Sequence, residues 1–492
     1  MVHVMTASQT KIFRYLGFVL LGLAALLLPF IAAAVGYGEN KCISSFALTS
    51  FFSSGIGLAL ITIVPKMDVH LKKRDGYLLM AMIWALVSLI GMIPYILSGA
   101  VSSPFDALFE SCSGFSTTGA TIFSAPEMLP RSLLLWRSFT QWLGGMGIIV
   151  FASALLPPTG IEDQSVSQKH SSVNVIGKRH ARFTGTSARL LMLYLGFSAA
   201  CLIALRMAGM TFYESLIHMM STVSTGGFSC YHDSLAHFSG TAVPAVILVF
   251  MILSGINYNM FFILKQRGIA VMMRDEEFTA YLRILLFTSI VIFADLIMPR
   301  PLSADSGAAG DALFQTVSMV TTTGFTTVNY MRWPVFSQIL ILLLMMVGAC
   351  SGSAGSGPKI VRILISCKLV KRSLHTRIHP NRVSEMAMNH RPIRQETATN
   401  ISNYMFFYFF LIFCGSLIVA ADGQDLMTTL SAVISCLCNI GPGFSAIAPG
   451  LSYAVFSPAA KAVLSLLMIA GRLELFAVFM LLSPHYWNSN RA

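Results

Sequence analysis

Apolar residues run through this chain in long blocks separated by short polar segments. A helix that crosses a bilayer needs about 20 consecutive apolar residues, and blocks of that length recur along the sequence. The first two cover 14–35 and 44–64. Four units follow, each an apolar block, a shorter amphipathic segment and a second apolar block. Unit one is 77–98, 104–121 and 132–156; unit two is 187–208, 211–229 and 241–264. Unit three is 279–298, 309–327 and 335–368; unit four is 400–420, 424–444 and 456–482. The pattern predicts an all-α membrane protein with ten spans and four re-entrant segments. The expected organisation is an N-terminal helix pair (1–76) and repeats at 77–156, 187–264, 279–368 and 400–482.

The first block poses a separate question. Lys11 and Arg14 precede it and Ala32-Ala33-Ala34 mimics a cleavage site. The block exceeds the ~7–15 apolar residues of a secretory signal, so an uncleaved membrane helix is expected.

The amphipathic segments are too short to cross. Irregular backbone at membrane depth survives only when buried in protein or lining water. Each segment ends in a similar turn: Thr117-Thr118-Gly119, Ser224-Thr225-Gly226, Thr322-Thr323-Gly324 and Asn439-Ile440-Gly441. Glycine permits backbone shapes that turn carbonyls inward, and Thr adds a hydroxyl oxygen. Side chains vary from turn to turn while the glycine stays, so backbone carbonyls are the expected cation contacts. Four such turns would enclose one pore on a pseudo-fourfold axis. Asp106 and Asp311 lie thirteen residues before Gly119 and Gly324 and are each followed by Ala-Leu-Phe. Tyr213 and Thr428 hold that place in the other units, with Glu214 and Asp425 close by. An acid there caps a short helix and complements its dipole, leaving the partly negative end at the turn.

Composition agrees with a membrane location. The chain has 492 residues, 55% hydrophobic and 11% charged, with mean hydropathy +0.71; soluble domains carry about 25% charged residues. Segments 1–14, 65–76, 157–189, 265–283, 359–394 and the C-terminus hold 25 of the 33 Lys and Arg. Basic segments stay cytoplasmic, so both termini are predicted to be cytoplasmic and the turns to enter from outside. The net charge of +12 follows from this asymmetry and implies no nucleic-acid partner. The nine cysteines sit mostly in or beside apolar blocks. Neither a disulfide framework nor a Cys metal site is expected, since Cys436-x-Cys438 lacks a second pair. With no HExxH motif and no paired mid-span aspartates, an enzyme is not expected.

The second block of unit three is interrupted by Gly348-Ala349-Cys350-Ser351-Gly352-Ser353-Ala354-Gly355-Ser356-Gly357-Pro358. Helix does not run cleanly through such a run. Either it is a gate loop (348–357) below the turns, with Lys359 at its end, or a kink packed by small residues. Pro358 stands where a phosphate-binding loop needs its glycine–lysine pair, so nucleotide binding is not expected. Arg472 lies mid-span, where charge is costly and faces a polar interior. It either restricts the pathway beside the loop or pairs with another helix. Arg137 and Lys461 are expected to snorkel to the outer interface. His218 is expected to be a packed or hydrogen-bonded core group. The basic stretch 368–394 offers contact with membrane lipid or a docking surface for a regulatory subunit.

Residues 112–121 (CSGFSTTGAT), 221–229 (STVSTGGFS), 319–327 (MVTTTGFTT) and 436–444 (CLCNIGPGF) resemble the filter segments of the Trk/Ktr/HKT superfamily of potassium transporters. The extra N-terminal pair resembles its TrkH-type bacterial branch. The resemblance covers about 77–482 and implies potassium uptake through a glycine-based filter made of the four turns. Glycine at 119 implies potassium preference with rubidium accepted; the absence of a TVGYG string allows some sodium passage. It also implies a gate at Gly348, Gly352, Gly355, Gly357, Lys359 and Arg472, no organic cofactor in this chain, and a homodimer in the bacterial inner membrane. A cytoplasmic TrkA-type subunit binding NAD(H) or ATP/ADP is the implied regulator. A proton- or sodium-coupled symporter with alternating access is the alternative.

Overall fold

The computed structural model describes residues 7–66, 73–155, 178–298, 307–379, 385–473 and 475. Its regular secondary structure is helical apart from one two-stranded hairpin among these residues, which pairs Ala387–Met388 with Arg391–Pro392.

Helices Ala7–Tyr37 and Asn40–Ile63 form the N-terminal pair. They approach closely because Gly17 and Gly57 face each other: a Cβ on either would lie 2.9 Å from the other's carbonyl oxygen. Small residues at such crossings let two backbones pack without a hydrophobic driving force. Ser53 and Ser50 donate to the carbonyls of Leu20 and Ala24, adding hydrogen bonds across the seam. The pair packs through Phe30 and Phe46 against Trp136 of unit one.

Unit one comprises Lys73–Gly91, Ile93–Leu97, the short helix Pro104–Phe115 and Arg131–Leu155. Unit two comprises Lys178–Met207, the short helix Phe212–Val223, and Val243–Ser254 followed by Tyr258–Arg267. Unit three comprises Glu276–Ile297, the short helix Ala308–Val320, Val335–Met345 and Ile360–Ile378. Unit four comprises Gln395–Ala420, the short helix Leu426–Cys438 and Pro458–Arg472. Most of its expected span beyond 473 lies outside the described residues. Among the described residues, six helices are long and apolar enough to cross a membrane, or seven if one bent pair is a single span.

That bent pair corrects a sequence expectation. Residues 241–264 do not form one straight helix; the chain turns by 86° between Val243–Ser254 and Tyr258–Arg267. The cause is tertiary. The glycine-rich run of unit three inserts there: Cys350 N donates to Gly255 O, Ala354 N to Ser254 O, and Tyr258 N to Gly352 O. Backbone groups freed by the bend are thus satisfied by the loop, as low-dielectric surroundings require.

The four short helices are buried along most of their length, and the longer helices surround them. The outer helices present large apolar residues outward, including Phe287 (70% exposed), Ile290 and Phe406 (67% exposed). A surface this apolar suits acyl chains rather than water.

Candidate cation pathway

Each short helix ends in the same backbone sequence. Thr117, Thr225, Thr322 and Asn439 all have φ between 56° and 57°, and two residues on Gly119, Gly227, Gly324 and Gly441 have φ between 75° and 105°. This corrects the register expected for unit two. Its turn is Thr225-Gly226-Gly227, one residue on from Ser224-Thr225-Gly226. Ser224 caps its helix as Ser116 and Thr321 cap theirs. The hydrogen bonds repeat in the same register: Thr118 N to Ser113 O, Gly226 N to Ser221 O, Thr323 N to Ser318 O and Ile440 N to Ser435 O. A serine six residues before each glycine marks this register in the sequence.

The four turns meet edge to edge in a ring. A Cβ added to Gly119 would overlap the carbonyl oxygen of Gly226. One on Gly227 would overlap that of Thr323, and one on Gly324 that of Ile440. Gly441 closes the circuit, its Cβ position lying 2.8 Å from Thr118 O. Each glycine is therefore needed twice, for its positive φ and for the neighbour's carbonyl. Of the sequence-derived candidates, the structure brings together Thr117, Thr118, Gly119, Thr225, Gly226, Thr322, Thr323, Gly324, Asn439, Ile440 and Gly441. Ser224 sits just behind, its Oγ bonded to Met220 O at 2.7 Å.

The helix starts differ from one another. Thr211 and Glu214 form a reciprocal capping box. Asp425 caps its helix by accepting from Thr428 N; hydrogen bonds from Thr428, and then Ser445, hold its carboxyl below the usual carboxylate range. Asp106 and Asp311 lie in the first turn, where the N-cap residues are Ser103 and Gly307 and neither caps through a side chain. Asp106 instead pairs with Lys461 at 2.6 Å, and Asp311 accepts from Thr327 Oγ1 at 2.9 Å. Both still put negative charge at the positive end of a helix dipole.

Lys461 therefore does not snorkel; it is 4% exposed and joins unit four to unit one. Arg137 does not either. It is 2% exposed, pairs with Glu110 at 2.5 Å and lies over the Phe228 ring at 3.5 Å. Burying a charge near apolar surroundings is costly unless it is paired and hydrogen-bonded, and unit one supplies the partner across one helix turn-and-return. His218 is a buried core group as expected, between Glu214 O and Ser229 Oγ.

Several side chains that hold the turns carried no motif. Gln141 grips unit two's segment at two points, donating to Gly226 O at 2.5 Å and accepting from Phe228 N at 3.2 Å. Tyr453 OH donates to Gly441 O and Tyr330 OH to Gly443 O. Asn439 Nδ2 bonds Thr118 Oγ1 at 2.8 Å and Met468 O at 2.9 Å, tying the ring to the last helix.

The run 348–357 is a non-helical loop between Val335–Met345 and Ile360–Ile378. It lies against the ring: Ser356 N donates to Thr322 Oγ1 at 2.8 Å. Gly348, Gly352 and Gly357 have positive φ, and so does Lys359. Lys359 Nζ bonds Gly355 O at 2.6 Å. Arg472, 3% exposed, reaches the same loop from the last helix and donates to Ala354 O at 2.9 Å and Ser356 Oγ at 2.7 Å. Its Nε and Nη2 have no hydrogen-bond partner among the described residues. Glycines, Lys359 and Arg472 thus form one cluster. No group of three or more His, Cys, Asp or Glu able to hold a metal occurs among the described residues.

Comparison with known proteins gives this architecture relatives. The family described as "TrkH: Cation transport protein" matches residues 43–287 and 280–489. The chain is 33% identical to the Trk system potassium uptake protein TrkH of Salmonella typhimurium, over 90% of this chain and 92% of that protein. It is 30% identical to the Trk system potassium uptake protein TrkG of Escherichia coli K12, over 99% and 100% of the two. The crystal structure of the potassium transporter TrkH from Vibrio parahaemolyticus superposes with a TM-score of 0.88 at 31% identity, covering 97% of this chain and 99% of that one. These relatives are transport proteins, not enzymes. The chain belongs to the TrkH family of cation transport proteins, within the Trk/Ktr/HKT superfamily.

Proposed function

We propose that this protein takes up potassium across the bacterial inner membrane through a single pore enclosed by its four units. The observation that carries the reading is the closed ring, in which each turn's glycine abuts the next turn's carbonyl. The relatives' names as potassium uptake proteins support the choice of ion. In this reading the chain has ten spans in four pseudo-fourfold repeats plus the N-terminal pair, with both termini cytoplasmic.

Oxygens of the turns replace the hydration shell of a potassium ion as it enters the ring. Four short helices direct their partly negative C-terminal ends at it. The filter comprises Thr117, Thr118, Gly119, Thr225, Gly226, Gly227, Thr322, Thr323, Gly324, Asn439, Ile440 and Gly441. Below it the loop 348–357 is the gate, held by Arg472 and Lys359; their charges raise the electrostatic barrier to cations. The loop's small residues allow closed and open forms separated by a few kcal/mol. The basic residues Lys371, Arg372 and Arg377, of which Arg372 is half-buried and the other two exposed, are the docking surface for a TrkA-type nucleotide-binding subunit, and the protein works as a homodimer. The four turns are alike rather than inverted, which favours a pore over a symporter built on inverted repeats.

Reconstitution into liposomes tests the reading. Rubidium uptake that potassium competes away is the expected result. Proteoliposomes no more permeable to rubidium than empty vesicles would overturn it.

A further inference from the structure

The corrected register aligns four residues that lie nine positions before the ring glycines: Glu110, His218, Gln315 and Ala432. The first three are fully buried on the short helices, and they differ in what they hold. Glu110 accepts from Thr121 Oγ1 at 3.1 Å and Ile122 N at 3.0 Å, both in the segment that follows Gly119. His218 faces Ser229, in the segment that follows Gly227. Its Nδ1 meets Glu214 O at 2.9 Å, and a carbonyl only accepts, so Nδ1 carries the proton. Nε2 is then the acceptor for the Ser229 hydroxyl, whose Oγ in turn accepts from Tyr231 N at 3.1 Å. Gln315 has no hydrogen-bond partner for either side-chain atom among the described residues, and Ala432 has no polar side-chain atom.

Arg137 joins the first two posts. Its Nε pairs with Glu110 and its Nη1 donates to Ser229 O at 3.1 Å. One connected path therefore runs from Thr121 through Glu110, Arg137 and Ser229 to His218, behind two adjacent turns. Among the described residues, Gln315 and Ala432 make no such bond for units three and four. The segments after Gly324 and Gly441 are held from other positions, by Asp311 on Thr327, Ser318 on Phe325 O and Ser431 on Phe444 N; what sets units one and two apart is the Glu110–Arg137 ion pair that links them.

We propose that Glu110, Arg137 and His218 are positioning residues that fix the spacing of the extended segments after Gly119 and Gly227, and thereby set discrimination between potassium and sodium. The proposal rests on the pore reading above. Size discrimination by carbonyl oxygens depends on how far the ring can contract around a smaller ion. A network of buried, satisfied hydrogen bonds restricts that movement.

The test uses the full-length protein in liposomes, with rubidium uptake measured against rising sodium. Removing one charge alone would strand its partner in the interior. The first variant therefore removes both, Glu110→Gln with Arg137→Met. Its sodium inhibition constant is expected to fall about fivefold, the loss of one or two net hydrogen bonds' worth of restraint. Ser229→Ala cuts only the link to His218 and is expected to shift the same constant by a smaller factor in the same direction. This second variant decides the matter if the first does not insert. A purely structural role would lower protein yield and thermal midpoint while leaving sodium inhibition at the parent value, and that result overturns the proposal. If the parent itself takes up no rubidium, the pore reading fails and takes this proposal with it. A parent that transports, with variants that keep its sodium inhibition, defeats this proposal alone.

Discussion

At the scale of single residues the ring explains why glycine recurs where its neighbours vary. Of the paired glycines in unit two, only Gly227 carries both demands. Gly227 has positive φ and faces the Thr323 carbonyl, whereas a Cβ on Gly226 would meet only the side chain of Gln141. A left-handed backbone costs a non-glycine residue about 1–2 kcal/mol, and a backbone carbonyl in the ring has little room to retreat. Gly227→Ala is expected to cut rubidium uptake to roughly a tenth or less, a loss on the order of 1.4 kcal/mol or more. Gly226→Ala, relieved by a side-chain shift, is expected to retain most of it. Equal losses would argue against the register. The turn motif alone could not decide between the two glycines, because Ser224, Thr225 and the paired glycines satisfy either alignment. The serines at 113, 221, 318 and 435 do decide it, as does Glu214, which falls thirteen residues before Gly227. Arg137 and Lys461 were illegible for another reason. Their partners come from other helices, Asp106 being 355 residues away from Lys461, and local pattern carries no such information.

At the scale of elements the glycine-rich loop is the connecting part. Its composition announced a helix break, and the chain breaks there. What it breaks against was not announced: the bend at Ser254–Tyr258 exists because the loop's amides and carbonyls bond it. The loop also reaches the ring through Ser356 and the last helix through Arg472. The same helix grips the ring through Met468 O and Asn439. Movement of this helix therefore acts on loop and ring together. Arg472→Ala removes two hydrogen bonds to the loop and a buried charge, and is expected to raise basal rubidium flux severalfold. Deleting 350–355 is expected to raise it further, with the potassium-to-sodium ratio retained. An inserted deletion variant with parental or lower flux would show the loop to be packing rather than a gate.

At the scale of the whole molecule the largely helical, membrane-embedded character was legible in the sequence, because it rests on runs of residues rather than on contacts. The helix after the glycine-rich loop of unit three runs to Ile378 and presents Val370, Leu374 and Ile378 as exposed apolar residues beside Lys371, Arg372 and Arg377. Lys368 is already engaged with Glu276 and Ala387 O, so it anchors the helix rather than a partner. Replacing Lys371, Arg372 and Arg377 together with Ala is expected to weaken co-purification of a nucleotide-binding subunit at least tenfold, in a salt-sensitive manner. Unchanged capture would move the docking site elsewhere. The central claim, that the four glycines form the ring through which potassium passes, is tested most directly by the potassium-to-sodium permeability ratio of Gly119→Ser beside the parent. The Ser side chain would sit against Gly226 O, at a backbone angle of 81° that serine rarely adopts. The account predicts a clear fall in the ratio with the protein still inserted; a ratio equal to the parent's would contradict it.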